Sequence, residues 1–405
     1  MSVDNLFKGI AVIIDDQVND QSANINNIIK QISAKKIPTL LFDKIPDDIT
    51  TSNLQGVSFI LLDWRLEGLS EDDLLEGVML PEGLQEYNSE QNIEFLKKIR
   101  EINFCPIFIF SNESKESIFE QLELAELCTN GKPSNIFIKG KNELKGKNKV
   151  FREIESWLKK NPSMYVLKEW ENEYQQSKNK LFSDFQRISP YWAKIMWDNF
   201  KDDGANESLE LGELISKNLH TRMMPMSFKD EIFSNKRIKV NSQDLRKVLE
   251  GEKFLKSELL HDDVISTGDV FKVLRPNSEA DNPEYTYYLN IRAQCDLVRS
   301  SSNVDLYCLK GREIKDVGTR KSKIKINEGH FSEKISHAIV PFIDGGKIIE
   351  FHFYDLQIKK WNTLKPNRIG TLLPPHINRI QQKYGLYMQR QGLPRIPLNA
   401  FNKEE

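Results

Sequence analysis

Residues 57–63 read VSFILLD, a short apolar run that stops on a single aspartate, Asp63. Three runs of the same kind frame it. Residues 8–15 read KGIAVIID and lead into the pair Asp15-Asp16, residues 105–111 read CPIFIFS, and residues 134–139 read SNIFIK. All are rich in Ile, Val and Phe, the pattern of strands buried on both faces of a parallel sheet. Residues 38–42, PTLLF, make a weaker fifth strand. Amphipathic stretches lie between the runs. Ile25, Ile28, Ile29 and Ile32 recur at helical spacing, as do Ile93, Leu96 and Ile99 within Asn92–Glu101. Ser114–Leu127 opens on a capping residue and carries Ile118 and Leu122, and Lys147–Lys160 carries Val150, Ile154 and Leu158. Five strands alternating with amphipathic helices specify a doubly wound α/β unit over residues 1–160.

In such sheets ligands bind beyond the carboxyl ends of the strands. Every principal run here delivers a polar residue at that end: Asp15 and Asp16, then Asp63, Ser111 and Lys139. In this set the chain resembles the flavodoxin-like (βα)5 receiver domains of two-component response regulators. That family has an acidic pair after the first strand, a phosphoacceptor Asp after the third, Ser or Thr after the fourth and Lys after the fifth. The resemblance implies Mg²⁺ held by Asp16, Asp63 and the backbone carbonyl of Arg65, with Asp15 on a metal-bound water. It implies phosphoryl acceptance at Asp63, with Ser111 and Lys139 contacting the transferred group. The only chemistry would be the gain and loss of that phosphoryl group. The residue types suit the task, because Mg²⁺ prefers oxygen ligands and phosphoryl transfer depends on positioning and charge neutralisation.

Three features depart from the family pattern. Gly140 follows Lys139 where a proline is usual. Ile136 stands where an aromatic switch residue is usual, and Phe137 is one place off, so it points the other way in a strand. Residues 66–91 form a long acidic insertion with eight Asp/Glu and no Lys or Arg between Leu66 and Glu90. It reads as a solvated loop or as a lid or docking surface for a basic partner.

Composition bounds the remainder. The chain has 405 residues, 39% hydrophobic and 29% charged, with a formal net charge of −2. That is room for two or three domains and gives no global attraction to nucleic acid. No apolar run approaches a membrane span, and the first residues lack a signal-peptide pattern. Cys105, Cys128, Cys295 and Cys308 are scattered without CxxC spacing, so a reduced, cytoplasmic protein is expected.

Asn161-Pro162 marks an expected boundary, followed by a helical connector over 161–262. Its many aromatics, Trp170, Tyr174, Phe182, Phe185, Tyr191, Trp192 and Trp197, suit the core of a second domain or a homodimer or partner face. Over 263–405 the pattern changes to short strands. A small, mostly antiparallel β domain is expected, barrel-like, with Asp344-Gly345-Gly346 as a hairpin turn. Cys295, with His330, His337, His352 and His376 downstream, is the minimum for a thiol nucleophile, but a structural cysteine fits better. His352, in the alternating run EFHFY, reads as a strand residue and not as a ligand. Past Pro374-Pro375 a terminal helix carries an apolar stripe of Ile377, Ile380, Tyr384 and Tyr387, flanked by Arg379, Lys383 and Arg390. Its basic edge suits DNA phosphates or an acidic protein, though no helix-turn-helix is recognisable, and packing on its own β domain is equally in keeping.

The segment Cys295-Asp296-Leu297 and the tail YGLYMQRQGLPRIP from Tyr384 resemble receiver proteins of bacterial phage-defence operons, which are partnered with a histidine-kinase-like ATPase. Two functions follow as expectations. One is a signalling protein in which phosphoryl acceptance at Asp63 alters engagement of a protein partner. The other is a degenerate receiver serving as a non-enzymatic scaffold of a defence complex.

Overall fold

The computed structural model describes residues 6–20, 24–66, 82–234, 241–276, 278–279, 281, 283–298, 303–315, 326–327, 330–331, 333–391 and 397. Its contacts divide the chain into two units, residues 1–192 with 214–237, and residues 193–213 with 238–405.

The first unit is built on β1 (Ala11–Ile14), α1 (Asn24–Ala34), β2 (Thr39–Phe42), α2 (Asp48–Ser52), β3 (Phe59–Leu62), α3 (Glu82–Ile102), β4 (Ile107–Ser111), α4 (Lys115–Leu124), β5 (Ile136–Gly140) and α5 (Lys149–Leu158). The five strands pair in parallel in the order β2-β1-β3-β4-β5. That order reverses direction between β1 and β3 and is compatible with a flavodoxin-like arrangement. Successive side chains of each central strand feed opposite cores. Ala11, Ile13, Phe59, Leu61, Phe108 and Phe110 pack with α1 and α5, while Val12, Ile14, Ile60, Leu62, Ile107 and Ile109 pack with α3 and α4. Burial on both faces is why these runs show no alternation. β2 is an edge strand with Leu40 and Leu41 exposed, which explains its weaker signal.

Two expected boundaries shift. The insertion expected over residues 66–91 is helical from Glu82 onward, so α3 starts about ten residues before the expected Asn92; residues 67–81 lie outside the described residues. Asn161-Pro162 is a helix start and not a domain boundary. Asn161 caps α6 (Pro162–Ile188) by accepting from the Met164 amide, and proline is preorganised for the first turn. Met164 and Tyr165 then enter the core of the first sheet, and the Lys168 ammonium reaches the Ser58 carbonyl at 2.9 Å. The connector expected over 161–262 is thus shared between the units. It continues as α7 (Trp192–Asp202), α8 (Glu207–Met223), α9 (Asp230–Phe233) and α10 (Ser242–Lys253). Of its aromatics, Trp170, Phe182, Tyr191 and Trp197 remain partly exposed, and Phe185 stacks on Trp192 at 4.7 Å.

The second unit carries a seven-stranded sheet. Its strands are β6 (Phe254–Lys256), β7 (Asp269–Leu274), β8 (Tyr285–Asn290), β9 (Asp305–Glu313), β12 (His337–Ile343), β13 (Lys347–Lys360) and β14 (Arg368–Leu372), and a separate short ribbon is formed by β10 (Ile326–Asn327) and β11 (His330–Phe331). The helices are α11 (Gln294–Val298), α12 (Trp361–Leu364) and α13 (His376–Met388). Strand order is β12-β13-β9-β8-β7-β14-β6, antiparallel throughout. The ends β12 and β6 are not paired to each other, so the expected barrel is an open sheet. One face packs on α13 through Ile377, Ile380 and Tyr387, and the other on α11 and α12 through Leu297, Trp361 and Leu364.

The hairpin between β12 and β13 turns at Asp344, Gly345 and Gly346, with φ of 51°, 78° and 85°. Asp344 is fastened into the sheet. Its carboxylate accepts from Tyr287 Oη at 2.7 Å, from Lys272 Nζ and from Lys347 Nζ.

Gly268, at φ +99°, enters β7 with its α-carbon against β14, and a Cβ there would lie 2.3 Å from the Leu372 carbonyl oxygen. Backbone cannot retreat as a side-chain end can. Gly268→Ala should therefore cost the second unit at least about 2 kcal/mol, read as a lowered denaturant midpoint at unchanged m-value.

Candidate functional site

β1 and β3 are paired neighbours, and the chain leaves each of them on an aspartate. The Asp63 amide donates to the Ile14 carbonyl at 2.8 Å and the Asp15 amide to the Phe42 carbonyl at 2.9 Å, so backbone bonds fix where the two side chains emerge. Asp15 and Asp63 are buried, Asp16 is half-buried, and a carboxylate oxygen from each lies within 4.8 Å of the others. The Gln17 amide donates to Asp15 Oδ1 at 3.0 Å, and the Arg65 amide to Asp63 Oδ1 at 3.3 Å. Ser111, at the end of β4, is buried, and its hydroxyl accepts from the Glu113 amide at 3.3 Å.

The lysine at this site is Lys141, not Lys139. The Lys141 ammonium lies 2.5 Å from Asp63 Oδ2 and 2.7 Å from Asp15 Oδ2, with all three side chains buried. Strand parity explains the correction. In β5, Ile136 and Ile138 face the core shared with α3 and α4, whereas Phe137 faces the α1 and α5 side. Lys139 shares the parity of Phe137 and pairs with Glu143 at 2.6 Å and with Glu153 of α5 at 3.5 Å. Lys141 opens the short 3₁₀ turn after β5, where alternation no longer applies, and it turns back over the strand ends. Gln31 of α1 steadies this turn. Its side chain donates to the Leu144 carbonyl at 3.2 Å and accepts from the Val150 amide at 3.1 Å. Counted from Lys141, the position of the usual aromatic is Ile138, which is still aliphatic.

The electrostatics follow from two buried carboxylates sharing one ammonium. Burial pushes the Asp63 carboxyl up to about 7; Lys141 opposes that rise, Asp15 adds to it, and the Arg65 amide opposes it. Burial alone would lower the Lys141 ammonium, but Asp63 and Asp15 outweigh it and hold the group above the ordinary lysine range. Asp15 Oδ2 meets Lys141 as an ion pair without hydrogen-bond geometry, so its lone pairs are not satisfied by a hydrogen bond. Excess negative charge, hard oxygen donors and an unsatisfied buried oxygen fit an added divalent cation of the Mg²⁺ or Mn²⁺ kind. Asp15, Asp16 and Asp63 would hold it.

The other expected sites fare differently. Cys295 is exposed on α11, and its thiol neighbour is Asp296 Oδ1 at 3.7 Å, a carboxylate and not an imidazole. On α13, Arg379 and Lys383 both pair with the buried carboxylate of Glu333, and Arg390 lies over the Tyr387 ring at 3.9 Å. Much of the basic edge expected to suit phosphates is therefore spent within its own unit. Gly392 and Pro394 of the tail lie outside the described residues. Among the described residues no helix is long and apolar enough to cross a membrane. Neither a protein-family model nor a curated protein matches the chain.

Proposed function

We propose that the first unit is a response-regulator-like receiver that accepts a phosphoryl group on Asp63 with a bound Mg²⁺ ion. The observation that carries this reading is the Lys141 ammonium set between Asp15 and Asp63 at the carboxyl ends of adjacent parallel strands. An Asp63 carboxylate oxygen would attack the phosphorus of a phosphodonor. A phosphorus–oxygen bond forms as the donor's bond to its leaving group breaks, and the leaving group departs with the electron pair. Lys141 supplies positive charge beside the attacking carboxylate, and the Ser111 hydroxyl offers a donor at the neighbouring strand end. Mg²⁺, when bound, supplies the charge neutralisation that two buried carboxylates and one ammonium lack.

The partner belongs to the same proposal. The Cys295-Asp296-Leu297 segment and the tail from Tyr384 support a protein partner of the histidine-kinase-like ATPase kind, in a bacterial cytoplasm and in phage defence. A second reading, a scaffold whose receiver no longer switches, draws on Ile136 and Ile138. Neither candidate position carries the aromatic ring that reports on the phosphoryl group in receivers.

The test is incubation with Mg²⁺ and a small acyl phosphate, resolved on a phosphate-affinity gel. Wild type should be retarded and Asp63→Asn should not. Beryllofluoride with Mg²⁺ should raise the melting temperature of wild type alone. Identical behaviour of the two proteins in both measurements would leave only the scaffold reading.

A further inference from the structure

We propose that His337, Glu350 and His352 form a binding site for a divalent transition metal of the zinc class on the second unit. His337 and His352 are direct partners across the β12–β13 ladder, and Glu350 lies two residues before His352 on the same strand face. The alternating Ile349, Phe351 and Phe353 point into the core covered by α13, so the three polar side chains emerge together on the opposite face. One ligand atom from each lies within 4.8 Å of the others.

His352 Nε2 makes a hydrogen bond with Glu350 Oε2 at 3.3 Å, a contact that an ion would replace, and His337 Nε2 is 3.9 Å from Glu350 Oε1. The second distance is too long for a hydrogen bond. Bonds of about 2.1 Å at tetrahedral angles place ligand atoms roughly 3.4 Å apart. The imidazole rings meet edge to face, with centroids 4.8 Å apart and planes at 77°. Both Nδ1 atoms are engaged on the far side of the rings: His337 Nδ1 with Ser336 Oγ at 2.9 Å, and His352 Nδ1 with Tyr354 Oη at 3.0 Å. With their protons held at Nδ1, both Nε2 atoms would be free to bind an ion beside Glu350, at the cost of the His352 Nε2–Glu350 hydrogen bond. Outer hydrogen bonds of this sort are the usual support of a metal-binding histidine.

Arg312, across from Glu350 on β9, reaches Oε2 at 3.2 Å, while Oε1 faces His337. Two imidazoles and one carboxylate favour Zn²⁺ or Co²⁺ over Mg²⁺, which asks for oxygen alone. Three protein ligands leave one position for water or another small ligand.

The test uses the untagged full chain, stripped with a chelator and then held in excess Mg²⁺ so that the aspartate site of the first unit is occupied. Co²⁺ is titrated and followed by visible absorption, then displaced with Zn²⁺. Wild type should bind one equivalent. His337→Gln and His352→Gln should abolish the absorption, and Tyr354→Phe should weaken binding at least about tenfold. Asp63→Asn should bind as wild type does, which separates this site from the receiver reading. Circular dichroism of each variant checks that it is folded, and the wild-type titration stands whatever the variants do. No Co²⁺ uptake by wild type, or equal uptake by folded His337→Gln and His352→Gln, overturns the proposal.

Discussion

Lys141→Met should lower the stability of the first unit by about 3–5 kcal/mol, the cost of leaving buried charge without its partner. The substitution keeps the length of the side chain and removes the ammonium that lies within 2.7 Å of both Asp15 and Asp63. At this domain size the loss corresponds to a fall of roughly 6 to 20 °C in melting temperature. Its pH dependence has a definite sign. Asp63 is already raised to about 7 with the lysine present, and without that opposing charge it rises further. Between the unfolded carboxyl value and the folded one, the native state binds the extra proton, so stability increases as pH falls. The deficit of Lys141→Met should therefore be larger at pH 8 than at pH 6, and Mg²⁺ should reverse much of it. Lys139→Met is the control. Lys139 is paired outside the carboxylate cluster with Glu143 and Glu153, and its loss should change stability by less than about 1 kcal/mol. Equal melting temperatures for the two variants would return the site to Lys139.

Arg368→Met should be comparably severe in the second unit, again by about 3–5 kcal/mol. Arg368 Nη2 lies 2.6 Å from Asp269 Oδ1, and the acid is fully buried. The guanidinium also donates to the Val264 carbonyl at 2.9 Å and lies over the Trp361 ring, so β14, β7 and the segment before β7 meet on one side chain. Burial raises the Asp269 carboxyl to about 6, against the opposing pull of Arg368 and the Ser266 amide. Without the arginine the carboxyl rises further. The native state then holds a proton that the unfolded chain has released, and stability declines as pH climbs from 4 through the folded value. The variant should thus lose more at pH 8 than at pH 5, measured by urea midpoints at the two pH values. A pH-independent loss would mean that packing on Trp361, and not the ion pair, carries the effect.

The strands of the first unit were legible because burial on both faces leaves an unbroken apolar run, and each run ends on a polar residue. The closeness of Asp15, Asp16 and Asp63 could be read from those endings. Lys141 could not be read in the same way, because it follows the strand by one residue beyond Gly140 and its direction is set by a 3₁₀ turn. The available signal was parity. A lysine sharing the face of Phe137 is sent toward α5, which leaves the next lysine for the site. The pairing of β6 with β14, separated by more than a hundred residues, has no local signature at all. His352 lies in β13, as its alternating run suggests, with both ring nitrogens hydrogen-bonded; its partner across the ladder, His337, belongs to a different run. Only the register brings them together.

That register is set by the turn at Asp344 together with a one-residue irregularity between Val340 and Ile343. With the Asp344 carboxylate tied to Tyr287, Lys272 and Lys347, the hairpin has a fixed zero point from which both strands are counted. A shift of one residue would send every β12 side chain to the other face, turning His337 toward the core under α13 and Ala338 away from it. The turn therefore works as a gauge. An alteration made there should be felt seven residues away as a change in which side chains face each other, with no atom near His337 itself having been touched.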